Sequence, residues 1–375
     1  RDISGTIKIS GAKNSIVALI PASILTSGVC VITNVPDISD VRILIDMMRE
    51  LGSIITFENE VLTIDNSNVQ NKKITEEYAG KLRASYYFMG SLIGKYHEAE
   101  IAYPGGCVIG SRPINYHIES FKKMGINVKN VADHYIMKTD ELKENEFYFD
   151  FPSVGATINI MLAAILAKGK TVIYNAAKEP EIANVASFLN SMGAKVFGAG
   201  TSTIEIIGVE ELHDGFVEVI PDRIEAGTYI MIGALIGNNL KIENIVEKHL
   251  ESLLYKLKEA GVKYEINNNS IILSKVEHLK PVNIKTTVYP GFPTDLGQPM
   301  STFLTQCEGE SLFEETIYEN RLRHVPHLNS MGANIQAFDK KAIIMGRTPL
   351  VGKKVKATDL RAGASMLVAG LIATG

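Results

Sequence analysis

Val41-Arg42-Ile43-Leu44-Ile45-Asp46-Met47-Met48-Arg49-Glu50-Leu51-Gly52 is the stretch that decides the fold. Val41, Leu44, Ile45, Met48 and Leu51 share one face of a helix, and Gly52 stands where a helix C-terminus takes a left-handed cap. The same ending recurs at Met124-Gly125, Met192-Gly193, Ala260-Gly261 and Met331-Gly332, with spacings of 73, 68, 68 and 71 residues. The apolar face recurs too, as Ile182, Val185, Leu189 and Met192, and as Leu250, Leu253, Leu254, Leu257 and Ala260. Strand-like runs follow at 54–57, 195–197 and 262–266. A sustained period of this length marks a repeat architecture.

Between these runs lies a second helix family, rich in small residues and apolar around the whole circumference: 15–28, 84–94, 156–169, 226–237, 296–309 and 362–375. Such helices belong inside. Each repeat therefore holds one buried helix, one amphipathic helix and several short strands, which predicts an α/β protein with three repeats per domain. Sheets and amphipathic helices would face outward around three buried helices. A chain of 375 residues exceeds the roughly 250–300 at which one core stops growing. The expected domains are 13–221, and 1–12 together with 222–375. The first half of the repeat occurs six times and the second half five, so the sixth repeat is incomplete at Gly375 and a further C-terminal half-repeat is expected.

Composition narrows the classes. A formal charge of -4 argues against a nucleic-acid partner held by overall basicity, so any anion would need a local cluster of Arg and Lys. Three scattered cysteines (Cys30, Cys107 and Cys307) suit a reducing cytoplasm and form neither a disulfide framework nor a zinc motif. No apolar run reaches the ~18–20 residues that span a bilayer. The chain reads as a soluble, cytoplasmic protein with no membrane partner. Gly90 to Tyr96 lacks the spacer and hydroxyl of a phosphate-binding loop, and Gly198-Ala199-Gly200 does not open a helix after a strand.

Because the chain repeats, equivalent positions can be compared. Eleven and eight residues before the capping glycine, three repeats carry Val41 and Leu44, Ile182 and Val185, and Leu250 and Leu253. The fifth carries Arg321 and His324 there, and the second carries His117 at the latter position. For the histidines a hydrogen-bonded structural role is the expectation. Arg321 is harder to account for by packing, because burying an unpaired guanidinium is costly. Polar residues also gather at the starts of the buried helices: Lys13-Asn14, Arg83, Ser153, Asp222-Arg223, Thr294-Asp295 and Asp359-Leu360-Arg361. Capping accounts for about half of Ser153, Thr294 and the aspartates. Basic residues oppose the helix dipole at these ends, so Lys13, Arg83, Arg112, Arg321 and Arg361, with Asp295 and Asp359, point to an anion site where the two domains would face each other. Tyr103 to Pro113 adds a glycine-rich loop carrying Cys107 and Arg112, either a mobile lid with a thiol and a cation or an ordinary loop with an incidental cysteine.

These residues carry a resemblance. Ser10 to Asn14, Leu82 to Ser85, Pro104 to Cys107 with Gly110 to Pro113, Ser153 to Thr157, Glu179-Pro180-Glu181, Pro221 to Glu225, Phe292 to Asp295, Glu319-Asn320-Arg321 and Ala357 to Arg361 together resemble the UDP-N-acetylglucosamine 1-carboxyvinyltransferases, within the enolpyruvyl transferases. The resemblance implies two inside-out α/β barrel domains of three repeats each. It implies transfer of the enolpyruvyl group of phosphoenolpyruvate to the 3'-hydroxyl of UDP-N-acetylglucosamine, with release of phosphate, at the start of peptidoglycan synthesis. Cys107 would be the general acid and covalent residue, open to fosfomycin-type epoxides, and Asp295 the base or the group that orients the hydroxyl. Lys13, Arg112 and Arg361 would hold phosphoenolpyruvate. Asn14, Arg83, Ser153, Val154, Gly155, Arg321 and Asp359 would line the rest of the site. No metal or organic cofactor is implied. The family pattern also continues past Gly375 with a further arginine and precedes Arg1 with a short strand. The alternatives are a 5-enolpyruvylshikimate-3-phosphate synthase-like transferase, a non-catalytic six-repeat clamp-like binding protein, and a paralogue without activity.

Overall fold

The computed structural model describes residues 2–105 and 114–375. The chain forms two compact bodies: domain I, residues 11–105 and 114–220, and domain II, residues 2–10 and 221–375. Strand β1 (Ile3–Lys8) belongs to domain II, after which the chain enters domain I.

The first repeat of domain I runs through helix α1 (Lys13–Ala22), β2 (Val29–Thr33), α2 (Ser39–Glu50), β3 (Ile54–Glu58) and β4 (Val61–Asp65). The second holds α3 (Glu76–Ala79), α4 (Tyr87–Tyr96), β5 (Glu98–Ala102), α5 (Asn115–Lys123), β6 (Asn127–Val131) and β7 (His134–Lys138). The third holds β8 (Glu146–Tyr148), α6 (Val154–Ala164), β9 (Lys170–Tyr174), α7 (Pro180–Ser191), β10 (Lys195–Phe197) and β11 (Thr203–Ile207), and β12 (Gly215–Glu218) completes the domain. Domain II continues with α8 (Arg223–Ile236), β13 (Gly237–Glu243), α9 (Glu251–Glu259), β14 (Tyr264–Asn267) and β15 (Ser270–Leu273). Then come β16 (Ile284–Lys285), α10 (Gly297–Leu304), β17 (Gly309–Glu314), α11 (Val325–Ser330), β18 (Asn334–Phe338), β19 (Lys341–Gly346) and α12 (Leu360–Ile372).

One pairing rule runs through the described sheets. The strand before a buried helix pairs parallel with the strand after it, and the following hairpin adds antiparallel, as in β8-β9-β11-β10 and β16-β17-β19-β18. A parallel pair needs a crossover, and the buried helix supplies it. In the first repeat of each domain the leading strand comes from elsewhere in the chain: β12 pairs with β2, and β1 with β13. In the second repeat the leading strand shrinks to a single parallel bridge between Ile74 and Ile101. Around α12 the same crossover is marked by the bridge from Val351 to Thr374.

The five glycines read as helix caps all have positive φ: Gly52 107°, Gly125 87°, Gly193 100°, Gly261 93° and Gly332 105°. Inside domain I, α4 packs against both α1 and α6. The approach of α4 to α6 is close because Gly90 and Gly94 lack side chains: a Cβ at Gly90 would lie 2.6 Å from the Asn159 carbonyl oxygen. In domain II, α10 packs against α8 and α12.

Two helices depart from the expected pattern. Eight of the twelve residues of α7 are buried, because it packs on α1 and α6 as well as on β10 and β12. Helix α12 is not covered on all sides: Ala362, Ser365, Met366 and Ala369 face the core, whereas Leu360, Leu367 and Leu371 are exposed.

The caps can be tested by substitution. Gly261→Ala meets no atom nearer than 3.9 Å, so its cost is that of the left-handed backbone alone, roughly 1–2 kcal/mol. Gly52→Ala is expected to cost more, because its Cβ would also lie 2.5 Å from the Asn68 carbonyl oxygen. Urea unfolding midpoints of the two variants check the ranking.

Candidate active site

In domain II, Asp295 lies in the short turn that leads into α10, Arg321 precedes α11, and Asp359 and Arg361 open α12. The fold brings all four together. Arg321 Nη2 donates to Asp295 Oδ1 at 2.6 Å, and Arg361 Nη2 donates to Asp295 Oδ2 at 2.8 Å. Asp359 has a dual task. Its Oδ1 caps α12 by accepting from the backbone N–H groups of Arg361 (2.9 Å) and Ala362 (3.1 Å), and it stands 3.9 Å from Arg321 Nη1.

Arg321 is 5% exposed and its guanidinium lies 5.1 Å from the centre of the Tyr318 ring, a cation–π contact. Its carbonyl accepts from Gln298 Nε2 at 2.8 Å, and His324 Nδ1 sits 3.1 Å away on the same oxygen. The loop that carries Tyr318 and Arg321 is tied down by buried Glu315. One Glu315 oxygen accepts from the Ile317 and Tyr318 N–H groups, and the other accepts from the Thr294 hydroxyl at 2.9 Å. Thr294 and Asp295 thus do not cap a helix, contrary to the expectation for that turn. Their side chains are claimed by Glu315 and by the arginines.

The electrostatics follow from this packing. Burial pushes the Asp295 carboxyl up, but the Arg361 and Arg321 charges, the Arg361 hydrogen bond and the Arg223 charge outweigh it and hold the group well below the usual carboxylate range. Burial pushes His324 down to about 4, so it is neutral at pH 7.

Domain I builds a second cluster at the start of α6. Ser153 caps the helix through its hydroxyl, which accepts from the Ala156 N–H at 3.3 Å. At Gly155 a Cβ would lie 2.8 Å from the Tyr86 hydroxyl and 3.0 Å from His117 Nε2, so only glycine fits beneath these two side chains. Buried Asn159 fixes the histidine. Its Oδ1 accepts from the Gly90 N–H, and its Nδ2 donates to the Tyr86 carbonyl at 3.1 Å and to His117 Nδ1 at 2.8 Å. The ring proton of His117 therefore sits on Nε2, and burial followed by the Arg83 charge pushes its pKa down to about 3. Arg83 itself stacks 5.9 Å from the Tyr86 ring. Both histidines singled out by the repeat are thus buried and hydrogen-bonded, in keeping with a structural role.

Lys13 and Asn14 begin α1, and Lys13 Nζ forms an ion pair with Asp40 Oδ2 at 2.8 Å. Asp40, Gln298 and Asn159 were not foreseen. For Gln298 and Asn159 a usable signal existed, since each is the one carboxamide of a buried helix whose other polar side chains are hydroxyls. Cys107 and Arg112 lie outside the described residues. The chain leading to them is anchored, with the Tyr103 N–H donating to the Asp133 carbonyl and the Gly105 N–H to the Ala79 carbonyl. A separate cleft of about 390 Å³ lies beside α11 and β18, lined by Glu319, Leu322, Arg323, Pro326 and Ile335 among others, and none of the predicted residues lines it. Among the described residues no cluster of His, Cys, Asp and Glu could hold a metal, and no helix is long and apolar enough to cross a membrane.

Against known proteins, the whole length 1–375 matches the family model of EPSP synthase (3-phosphoshikimate 1-carboxyvinyltransferase). UDP-N-acetylglucosamine 1-carboxyvinyltransferase 2 of Listeria monocytogenes serovar 1/2a is 48% identical over 375 residues, covering 100% of this chain and 89% of the relative. The chain belongs to the enolpyruvyl transferase family. The protein of the same name from Bacillus subtilis (strain 168) is 49% identical over 374 residues, covering 100% and 87%. The fold is likewise that of enolpyruvyl transferases. NikO of Streptomyces tendae superposes with a TM-score of 0.88 at 23% identity, covering 100% of this chain and 89% of NikO. An EPSP synthase of Acinetobacter baumannii superposes with a TM-score of 0.73 at 18% identity, covering 100% and 90%.

Of the three cysteines, Cys30 and Cys307 are buried, and burial pushes both thiols up to about 12. Neither is accessible or ionised near neutral pH, and the thiolate is the reactive form. Iodoacetamide at pH 7.5 is expected to leave Cys30 and Cys307 unmodified in the native chain and to alkylate both after unfolding in urea. Peptide mass mapping reads the outcome.

Proposed function

We propose that this chain transfers the enolpyruvyl group of phosphoenolpyruvate to the 3'-hydroxyl of UDP-N-acetylglucosamine, releasing phosphate, as the first committed step of peptidoglycan synthesis in the cytoplasm. The observation that carries this reading is the near-half identity, over the whole chain, to proteins named for that sugar nucleotide. The arginine-bound carboxylate of domain II supports it, because it joins a proton acceptor to cations suited to an anionic donor.

In the addition step the hydroxyl oxygen bonds to C2 of the enolpyruvyl group. The Cys107 thiol gives its proton to the methylene carbon, and the hydroxyl proton passes to Asp295. In the elimination step the new methyl group returns a proton to the Cys107 thiolate, the C2–O bond to phosphate breaks, and the phosphate leaves with the proton held by Asp295. The enol double bond is restored and the protein ends as it began. Lys13, Arg112 and Arg361 hold phosphoenolpyruvate and balance the charge that shifts onto its oxygens. Asn14, Arg83, Ser153, Val154, Gly155, Arg321 and Asp359 contribute to binding and positioning. At the α6 start, the first-turn amides and the helix dipole suit an anionic group such as a diphosphate. Fosfomycin-type epoxides would be opened by the Cys107 thiolate.

A second reading, transfer to shikimate-3-phosphate, is favoured by the description of the matching family model. Phosphate release from phosphoenolpyruvate separates the two. Release with UDP-N-acetylglucosamine and none with shikimate-3-phosphate is the expected result. Release with shikimate-3-phosphate alone would establish the second reading.

A further inference from the structure

A general base works only within hydrogen-bond reach of the proton it takes. An aspartate side chain is short, so the backbone beneath Asp295 decides where its carboxyl can reach. That backbone is the single turn Thr294–Leu296, which follows Pro293, a residue with no N–H to pair. The sheet holds the chain as far as Phe292, which bridges to Thr286 and whose carbonyl accepts from the Thr287 N–H at 3.0 Å.

Beyond Phe292 a side chain continues the tie. The Thr294 hydroxyl donates to Glu315 Oε2 at 2.9 Å, while Glu315 Oε1 accepts from the N–H groups of Ile317 at 2.7 Å and Tyr318 at 3.1 Å. Glu315 is 2% exposed and stands directly after β17, where its own N–H donates to the Lys340 carbonyl at 2.8 Å. Buried Thr286 braces the same place. Its hydroxyl oxygen accepts from the Thr316 N–H at 2.9 Å, and its carbonyl accepts from the Thr316 hydroxyl.

One carboxylate thus joins the turn that carries Asp295 to the loop that leads to Arg321, and roots both in the sheet. A carboxylate only accepts, and three donors converge on this one. The two N–H bonds alone would make a local loop cap. The third bond comes from a segment 21 residues away, and capping gives no reason for it.

We propose that Glu315 and Thr294 are positioning residues for the reaction: their shared hydrogen bond holds Asp295 where it meets the acceptor hydroxyl. This rests on the reading above, in which Asp295 takes the hydroxyl proton. Arg321 and Arg361 orient the carboxylate, and the bond from Thr294 to Glu315 fixes the backbone from which it projects. A reacting group displaced by about 1 Å loses on the order of 10²-fold in rate.

The test is steady-state kinetics of Thr294→Val and Thr294→Ser, read as phosphate release with the acceptor that supports release in the parent. Valine keeps the shape of threonine and removes the donor, whereas serine keeps the donor. Thr294→Val is expected to lower kcat by about 10- to 100-fold and to leave KM for both substrates within about threefold. Thr294→Ser should stay close to the parent. Glu315→Gln should do the same, because the glutamine oxygen still accepts from the two N–H groups and its amide donates to the Thr294 hydroxyl. A bond of purely structural value would lower the thermal unfolding midpoint and leave kcat of the folded protein unchanged. That result in Thr294→Val, or a serine variant as slow as the valine one, would overturn the proposal. Asp295→Asn separates the proposal from the reading beneath it. Parental rates in Asp295→Asn would remove the base and the proposal together. A slow Asp295→Asn beside a parental Thr294→Val would leave the base in place and remove the positioning role alone.

Discussion

The contact between Arg321 and Asp295 is the constraint around which this end of domain II is arranged. A guanidinium that is 5% exposed needs a partner in place, because removing one member of a buried pair leaves the other uncompensated. Asp295 supplies that partner at 2.6 Å, and the pair joins the turn before α10 to the loop before α11. Arg361 and Asp359 then bring in the start of α12. Glu315, Gln298 and Tyr318 hold the loop in the one conformation that lets Arg321 reach. A polar cluster this well tied is rigid enough to position charge.

Much of this could be read in advance because the chain repeats itself. A capping glycine every seventy residues or so predicted a backbone conformation, and all five glycines have it, since positive φ is a local property that local residues dictate. Arg321, His324 and His117 stood out for a different reason: three sister repeats keep aliphatic residues at the same two positions. What those residues do was less legible. The partners of Arg321 come from α10 and from the start of α12, and Asn159 reaches His117 from 42 residues away, distances over which spacing carries no information. Lys13 read as an anion ligand, yet its pairing with Asp40 needs the tertiary fold to be seen.

The misses share one physical cause. Composition reports what a segment tolerates and not what surrounds it. Helix α7 has the amphipathic pattern of its sisters but has eight of its twelve residues buried. Thr294 and Asp295 have the residue types of a helix cap but find stronger partners in Glu315 and in two arginines. Tertiary charge–charge contacts outweigh a cap of about 1 kcal/mol.

The central claim is that Asp295 and Arg321 depend on each other, and a double-mutant cycle in unfolding free energy tests it most directly. Asp295→Asn and Arg321→Gln are each expected to destabilise, by less than the roughly 3–5 kcal/mol of a wholly uncompensated buried partner, because Arg361 stays on Asp295 and Asp359 stays near Arg321. The double variant should cost less than their sum by more than about 1 kcal/mol, as contacting residues do. Costs that add to within about 0.5 kcal/mol would show that the two side chains act independently, and the account of this site would fall.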